Sequence, residues 1–162
     1  MCIADIDHFK LVNDTHGHAG GDRVLAAVAK SLIRGVRSED LVARIGGEEF
    51  LIVLPGTPPV AAALVAERLR AAVAALGVLR DPVTISLGVA CCRRDESAGE
   101  LVARADAALY RAKEQGRDRV VSADVADELG LVRLEPARRE IGGTTAIHRV
   151  QRPPSGTLPK QG

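Results

Sequence analysis

The sequence predicts an α+β sandwich, in which helices lie mostly on one side of a mixed sheet of about five strands. Residues 41–45 and 50–54 are apolar runs separated by a glycine-led connection, which indicates a β-hairpin. In residues 22–36 the apolar side chains recur at steps of three and four, which favours a helix. Residues 60–76 are rich in alanine, the best helix former. The full order of elements is strand, helix, hairpin, helix, strand, helix, short strand, and the sandwich follows from it.

The remaining predicted elements are shorter. Residues 2–6 form an apolar run that predicts the first strand, and residues 7–20 are typical of a polar connecting segment with a short helical turn. Residues 83–90 are strongly apolar and predict a central strand. Ser97 is a candidate N-cap for a helix that reaches about residue 115, and residues 118–121 predict the last strand.

The pattern changes after residue 121. Residues 1–121 are predicted to form one domain. In residues 122–162, a short helix is predicted over 123–134, followed by a disordered tail from Pro136. That tail lacks periodic apolar residues and contains repeated glycines and prolines.

Composition limits the classes of function. Of the 162 residues, 46% are hydrophobic, which is enough for one sizeable core. The 22 basic and 21 acidic residues nearly balance, so no nucleic-acid surface is expected. No membrane segment is expected either, because the apolar runs are too short for a span, and the residues after Met1 predict a strand rather than a secretory leader. Cys2, Cys91 and Cys92 are odd in number and include neighbours whose disulfide would be strained, so a reduced, cytoplasmic protein is expected.

The turn of the predicted hairpin, at residues 46–49, carries two adjacent carboxylates. Like charges side by side repel each other unless a cation or solvent relieves them, and a purely structural hairpin would be better served by Asn-Gly or Asp-Gly. An exposed turn with solvated acids is the alternative. The first predicted strand also leads to carboxylates, Asp5 and Asp7. If that strand lies beside the hairpin, Asp5 and Glu48 would converge on one metal ion, an arrangement typical of metal-assisted phosphoryl transfer.

Several motifs occur in a specific order along the predicted domain. They are Asp5-Ile6-Asp7-His8-Phe9-Lys10, Asn13-Asp14, Gly17-His18, Gly21-Asp22, Arg44-Ile45-Gly46-Gly47-Glu48-Glu49-Phe50, Ser86-Leu87-Gly88-Val89, Ala105-Asp106, Tyr110-Arg111-Ala112-Lys113 and Gly116-Arg117. In these motifs and their spacing the sequence resembles the GGDEF-domain family, the diguanylate cyclases, in the variant with Gly-Gly-Glu-Glu-Phe. The resemblance implies a ferredoxin-like sandwich of the nucleotidyl-cyclase palm type, in agreement with the order of elements.

The resemblance also implies a reaction, the condensation of two GTP molecules to cyclic di-GMP and two pyrophosphates. Each domain would hold one GTP, so turnover would need a homodimer. Asp5, the Ile6 carbonyl and Glu48 match the groups that hold Mg²⁺ or Mn²⁺ on the triphosphate. Glu48 would also help to deprotonate the attacking 3′-hydroxyl. Lys10 would contact the triphosphate and stabilise charge as the leaving group departs.

Other positions match the family's substrate contacts: Asn13, His18, Asp22, Gly46, Gly47, Lys113 and Arg117. By resemblance, Asn13 and Asp22 hydrogen-bond guanine, and a carboxylate there selects guanine over adenine. Lys113 and Arg117 would hold phosphates, although the helix dipole alone accounts for many basic residues at helix C-termini. The alternative for His18 is a polar residue at a loop or helix entry.

Arg37, Asp40 and Arg68 match the inhibitory product site of the family, where an Arg-x-x-Asp motif precedes the glycines. Guanidinium groups suit phosphate and the Hoogsteen edge of guanine, and the Asp suits its amino-imino edge. The alternative is a solvated surface pair of Arg37 and Asp40, which would contribute little.

In the family, a helical segment with an Asp-x-Leu-Thr motif precedes the first strand, usually behind a regulatory or dimerising module. This chain starts at the strand, so we expect a fragment or a domain with one sheet face exposed. Two alternatives to catalysis follow. One is a non-catalytic module that senses GTP or cyclic di-GMP, and the other is a truncated product without a stable fold. Intact acids at Asp5 and Glu48 favour catalysis, because a sensor needs no metal ligands.

Overall fold

The structure, a computed structural model, describes residues 1–124. Within that range the elements are β1 (Cys2–Ile6), α1 (Phe9–Arg34), β2 (Leu41–Arg44), β3 (Glu49–Val53), α2 (Pro59–Ala74), β4 (Ile85–Val89), α3 (Ala98–Glu114) and β5 (Val120–Ser122). Their order is the predicted one. The predicted tail, and all but the first two residues of the predicted helix over 123–134, lie outside the described residues.

The five strands form one mixed sheet in the order β2-β3-β1-β4-β5. β1 lies at the centre, antiparallel to both β3 and β4, and β2 pairs with β3 through the hairpin. β5 runs parallel to β4 at the opposite edge. The arrangement confirms the predicted α+β sandwich, and it places β4 in the interior of the sheet.

The helices cover the two faces of the sheet unequally. Successive side chains of a strand point to opposite faces. In β1, Cys2, Ala4 and Ile6 belong to the larger core cluster, which also contains side chains of α1 and α2. Ile3 belongs to a second cluster, with Ala105, Ala108 and Leu109 of α3. Two helices therefore lie on one face and α3 lies on the other.

Helix α1 begins at Phe9, so the prediction of a connecting segment with one short helical turn over residues 7–20 is wrong. A break at Gly17, with φ 68° and ψ 170°, divides α1 into two helical pieces. The pieces pack closely, because a Cβ added to Gly21 would lie 2.0 Å from Asn13 Oδ1. Gly21, which resembles a helix breaker in the sequence, therefore allows the two pieces of α1 to pack together.

The other helix ends agree with the sequence prediction to within about two residues. Ser97 caps α3 as predicted, since Glu100 N donates to the Ser97 hydroxyl at 3.3 Å and Ser97 N donates to the Glu100 carboxylate at 2.9 Å. This reciprocal pair is a capping box. Among the helices of residues 1–124, none combines the length and apolar character that crossing a bilayer requires.

Candidate functional site

Arg44 holds the hairpin turn between β2 and β3. Its Nε donates to Gly46 O at 3.1 Å and its Nη2 donates to Gly47 O at 2.6 Å. Ile45 N donates to Glu49 O at 2.9 Å and closes the turn. The sequence pattern predicts no role for Arg44. The signal in the sequence is a cationic side chain close to two glycines, whose carbonyl groups would otherwise have no hydrogen-bond donor.

The turn lies beside the end of β1. Asp5 is opposite Glu49 in the register of β1 and β3, and Ile6 N donates to Glu48 O at 3.2 Å. Burial raises the pKa of the Glu48 carboxyl, and the negative charge of Asp5 raises it further. The structure therefore brings Asp5 and Glu48 close together, on the strand and turn where the sequence predicts a shared ion.

The end of α3 completes this cluster. Asp5 is 5% exposed, and its Oδ2 lies 2.7 Å from Lys113 Nζ. Burial raises the pKa of Asp5, whereas the hydrogen bond and charge of Lys113 oppose the rise. The positive charge of Arg117 also lowers the pKa of Asp5. Lys113 and Arg117, the two basic residues predicted to hold phosphate, therefore both favour the ionised form of Asp5.

Asp5 and Glu48 form a suitable donor pair for a hard divalent cation. Two nearby carboxylates repel each other, and a bound cation removes that repulsion. In residues 1–124, no group of three or more His, Cys, Asp or Glu side chains is arranged to hold a metal ion. These residues therefore do not offer a cage made wholly of side chains. Mg²⁺ commonly uses one or two protein carboxylates together with water and substrate phosphates, and this pair fits such a site.

The predicted guanine and phosphate contacts on α1 lie on both sides of its break. Lys10, His18 and Asp22 are exposed, and Asn13 is half-buried. In the part of the chain that the structure describes, these four side chains make no hydrogen bond or ion pair with another protein group. They are not joined to Asp5 or Glu48 by direct contact, and they are available to a ligand.

The connection from α1 to β2 carries two of the predicted product-site residues. Arg37 N donates to Asp40 Oδ2 at 2.8 Å, and Asp40 N donates to Arg37 O at 3.2 Å, so the two residues close a tight turn. The other carboxylate oxygen, Asp40 Oδ1, is buried and meets no donor among residues 1–124. Leaving a buried acceptor unpaired costs free energy. Asp40 is therefore suited to accept a hydrogen bond from a ligand.

Arg68 of α2 approaches the same connection. Its Nη2 donates to Gly35 O at 2.8 Å. A cavity of about 650 Å³ lies between α1 and α2, and its lining includes the basic side chains of Lys30, Arg34, Arg37 and Arg68. So many positive charges around one cavity favour an anionic ligand.

Comparison with known proteins identifies relatives of this sequence. The family model described as "Diguanylate cyclase, GGDEF domain" matches residues 1–119. Diguanylate cyclase DgcM of Escherichia coli K12 is 47% identical over 124 residues, which cover 76% of this chain and 30% of that protein. Diguanylate cyclase A of Treponema denticola is 50% identical over 125 residues, which cover 74% of this chain and 34% of that protein. The chain spans about a third of the length of these curated relatives.

Solved structures agree with the sequence comparison. The GGDEF domain of DgcB from Caulobacter crescentus, in complex with c-di-GMP, matches with a TM-score of 0.73 and 38% identity, over 76% of each chain. The active GGEEF domain of a diguanylate cyclase from Vibrio cholerae matches with a TM-score of 0.71 and 36% identity, over 75% of this chain and 81% of that one. Since the family model covers most of the chain and the relatives share both sequence and fold, the chain belongs to the GGDEF-domain family.

Proposed function

We propose that this domain condenses two GTP molecules into cyclic di-GMP and two pyrophosphates. The observation that carries the proposal is the meeting of Asp5, Glu48 and Lys113 at the glycine-led turn, where one carboxylate raises the pKa of the other beside a cation. The relatives that are named diguanylate cyclases support the choice of reaction. GTP is then the substrate and cyclic di-GMP the product.

Asp5, the Ile6 carbonyl and Glu48 would hold Mg²⁺ or Mn²⁺ against the triphosphate. The ion would neutralise phosphate charge and polarise the α-phosphate. Glu48 would also accept the proton of the attacking 3′-hydroxyl. Lys113 pairs with Asp5 at 2.7 Å, so its ammonium group lies where it can turn to the phosphate oxygens of GTP.

The glycine-led turn would leave room for the nucleotide. A Cβ added to Gly47 would meet no atom within 4 Å, and Gly47 is not among the glycines with positive φ. Neither a protein neighbour nor the backbone angle requires glycine there, so close approach of a ligand explains it best. Gly46 would contribute to the same approach.

The side chains of α1 would bind the remainder of GTP. Asn13 and Asp22 would pair with guanine, because an amide and a carboxylate match its donor and acceptor edge. His18 is assigned to the same substrate. Lys10 would balance the negative charge that develops on the leaving pyrophosphate, and Arg117 would hold phosphate oxygens.

One GTP per domain requires that two domains face each other, each presenting a 3′-hydroxyl to the α-phosphate of the other. We therefore expect a homodimer. With the full chain, GTP and Mg²⁺, the rate of cyclic di-GMP formation per protein molecule should rise with protein concentration. Binding of GTP without product at any concentration would favour the non-catalytic sensor instead. A chain that binds neither GTP nor cyclic di-GMP would overturn both readings.

Acidification is expected to weaken the binding of GTP with Mg²⁺ at a higher pH than ordinary carboxylates would require. Burial raises the pKa of Asp5 and of Glu48, and protons compete with a metal ion for the same oxygens. Affinity should be full above these raised pKa values and should be lost as the pH falls through them. Calorimetric titrations over a range of pH check this. A constant affinity down to the usual range of Asp and Glu would contradict it.

Arg37, Asp40 and Arg68 would bind cyclic di-GMP as an inhibitor. The cavity with its basic lining supports this assignment, as does the unpaired Asp40 Oδ1, which can accept from the amino-imino edge of guanine. The site lies between α1 and α2, whereas Asp5 lies in β1 and Glu48 lies in the turn between β2 and β3. Inhibition would therefore act at a distance from the reaction.

Substitution of Arg37 by Ala is expected to abolish inhibition by added cyclic di-GMP while the initial rate of turnover is kept. The exposed guanidinium lies 3.9 Å from Glu39, a pair that contributes little to stability. The measurement is the initial rate against increasing cyclic di-GMP. Arg94→Ala, at an exposed position in another loop, serves as the control. Unchanged inhibition in Arg37→Ala would refute the assignment.

A further inference from the structure

Asp7 is a buried carboxylate that the proposed reaction does not use. It is 6% exposed. Its Oδ1 accepts a hydrogen bond from Ser86 Oγ at 2.7 Å. Its Oδ2 accepts from Thr84 Oγ1 at 2.7 Å and from Asp118 N at 3.1 Å. One side chain therefore connects the end of β1 to β4 and to the turn that follows α3.

The turn that Asp7 contacts has an unfavourable backbone. Gly116, Arg117 and Asp118 have positive φ angles of 112°, 62° and 44°. Left-handed angles cost free energy in residues that carry a side chain, so they persist only where the surroundings hold them. Arg117 N donates to Ala112 O at 3.0 Å and secures the start of the turn. Asp7 secures its end.

Arg70 of α2 holds the same turn from the other side. Its Nη1 donates to Asp118 Oδ1 at 2.6 Å, while its Nε and Nη2 donate to Glu67. The Arg70 side chain is only 19% exposed, so this pair is more ordered than a free surface pair. Asp118 is thus held by Asp7 through its backbone and by Arg70 through its side chain.

We propose that Asp7 and Arg70 are positioning residues for Arg117, because they clamp the turn after α3 that directs the Arg117 side chain toward the nucleotide. The inference rests on the proposed function, in which Arg117 holds phosphate oxygens of GTP. Arg117 lies within the turn, so the turn determines where its side chain points, whereas Lys113 precedes the turn and belongs to α3. Lys113 Nζ lies 2.7 Å from Asp5 in this arrangement.

The charge of Asp7, taken alone, predicts the opposite change in GTP affinity when Asp7 is replaced by Asn. An anion near a triphosphate repels it, so neutralising Asp7 would tighten GTP binding if charge were all that mattered. A clamp predicts weaker binding. Asn has the size of Asp and one acceptor oxygen, but it cannot make the charge-assisted hydrogen bond to Asp118 N. The sign of the change in Asp7→Asn therefore separates the two explanations.

The first experiment measures the affinity of the full chain for GTP in Mg²⁺. Asp7→Asn and Arg70→Ala are each expected to weaken it about tenfold, the effect of losing one hydrogen bond to a charged group. In the Arg117→Ala background, Asp7→Asn should add little, because it acts through Arg117. Ser86→Ala removes another hydrogen bond to the same carboxylate and should change affinity less than about twofold. Tighter binding in Asp7→Asn, or fully additive losses in the double variant, would overturn the proposal.

The second experiment does not depend on GTP. Amide hydrogen exchange of Arg117 and Asp118, followed by NMR, should be faster in Asp7→Asn and Arg70→Ala than in the wild type and Ser86→Ala. Unchanged exchange would overturn the clamp even if GTP binds. If the variants show the expected exchange pattern but the chain binds no GTP, the proposed function and the phosphate role are refuted. The clamp itself would stand. If Asp7→Asn does not fold, Arg70→Ala carries the same test, because Arg70 holds Asp118 from α2.

Discussion

Replacement of Glu48 by Gln is expected to lower the rate of cyclic di-GMP formation about a thousandfold. One metal-binding carboxylate and the proposed base are lost together, and about 4 kcal/mol of transition-state stabilisation corresponds to that factor. Gln keeps the size of the side chain but accepts no proton. The measurement is the rate of product formation from GTP in saturating Mg²⁺, at equal protein concentrations.

The same substitution should preserve the fold. Burial and the Asp5 charge raise the pKa of Glu48 above its value in the unfolded chain, so the ionised carboxyl destabilises the folded state at neutral pH. A neutral Gln removes that cost, and the thermal midpoint should stay the same or rise slightly. Glu39→Gln changes an exposed acid and is the matched control. Turnover at the wild-type rate in Glu48→Gln would show that this carboxylate is not in the catalytic machinery.

Substitution of Gly88 by Ala is expected to destabilise the fold by about 3 kcal/mol or more. Gly88 lies in β4, opposite Ile3, at the point where α3 crosses the sheet. An added Cβ would lie 2.0 Å from Ala105 O and 2.3 Å from Leu109 N. Both atoms belong to the backbone of α3, so the helix itself must move. Urea unfolding measures the loss of free energy.

Gly47→Ala is the matched comparison for Gly88→Ala. Its added Cβ meets no atom within 4 Å, and the backbone angle does not require glycine. Stability should therefore change by less than about 1 kcal/mol, and a small gain is expected because Ala restricts the unfolded chain. GTP affinity should nevertheless fall, since the methyl group enters the proposed nucleotide space. Equal stability of Gly88→Ala and the wild type would contradict the close contact of α3 with β4.

Local patterns in the sequence were sufficient for most of the fold. The hairpin follows from two apolar runs around a glycine-led turn. The start of α3 follows from Ser97 as a candidate N-cap, which the structure confirms and extends to a capping box with Glu100. The start of α1 is earlier than predicted, because residues 7–20 are rich in polar groups and the glycines at positions 17, 20 and 21 resemble a loop. One of them breaks the helix and another permits the approach of Asn13, a distinction that depends on packing between the two pieces.

The candidate site could be predicted only where a motif marked it. Asp5 and Glu48 were expected to converge, and the structure brings them together. The contact of Lys113 with Asp5, and those of Asp7 and Arg70 with Asp118, join residues far apart in the sequence. No local periodicity encodes such pairs, because they depend on the order of strands in the sheet and on the path of the chain after α3. The roles assigned to Lys10, Asn13, His18 and Asp22 stay predictions.

Calorimetric titration of GTP into the full chain, with Mg²⁺ and again with a chelator, tests most directly whether Asp5 and Glu48 share a cation that carries the nucleotide. We expect binding heat only in the presence of Mg²⁺, and its loss in both Asp5→Asn and Glu48→Gln. Circular dichroism of each variant serves as the control for folding. Equal binding of GTP without the metal ion, or Mg²⁺-dependent binding that survives both substitutions, would contradict the shared site.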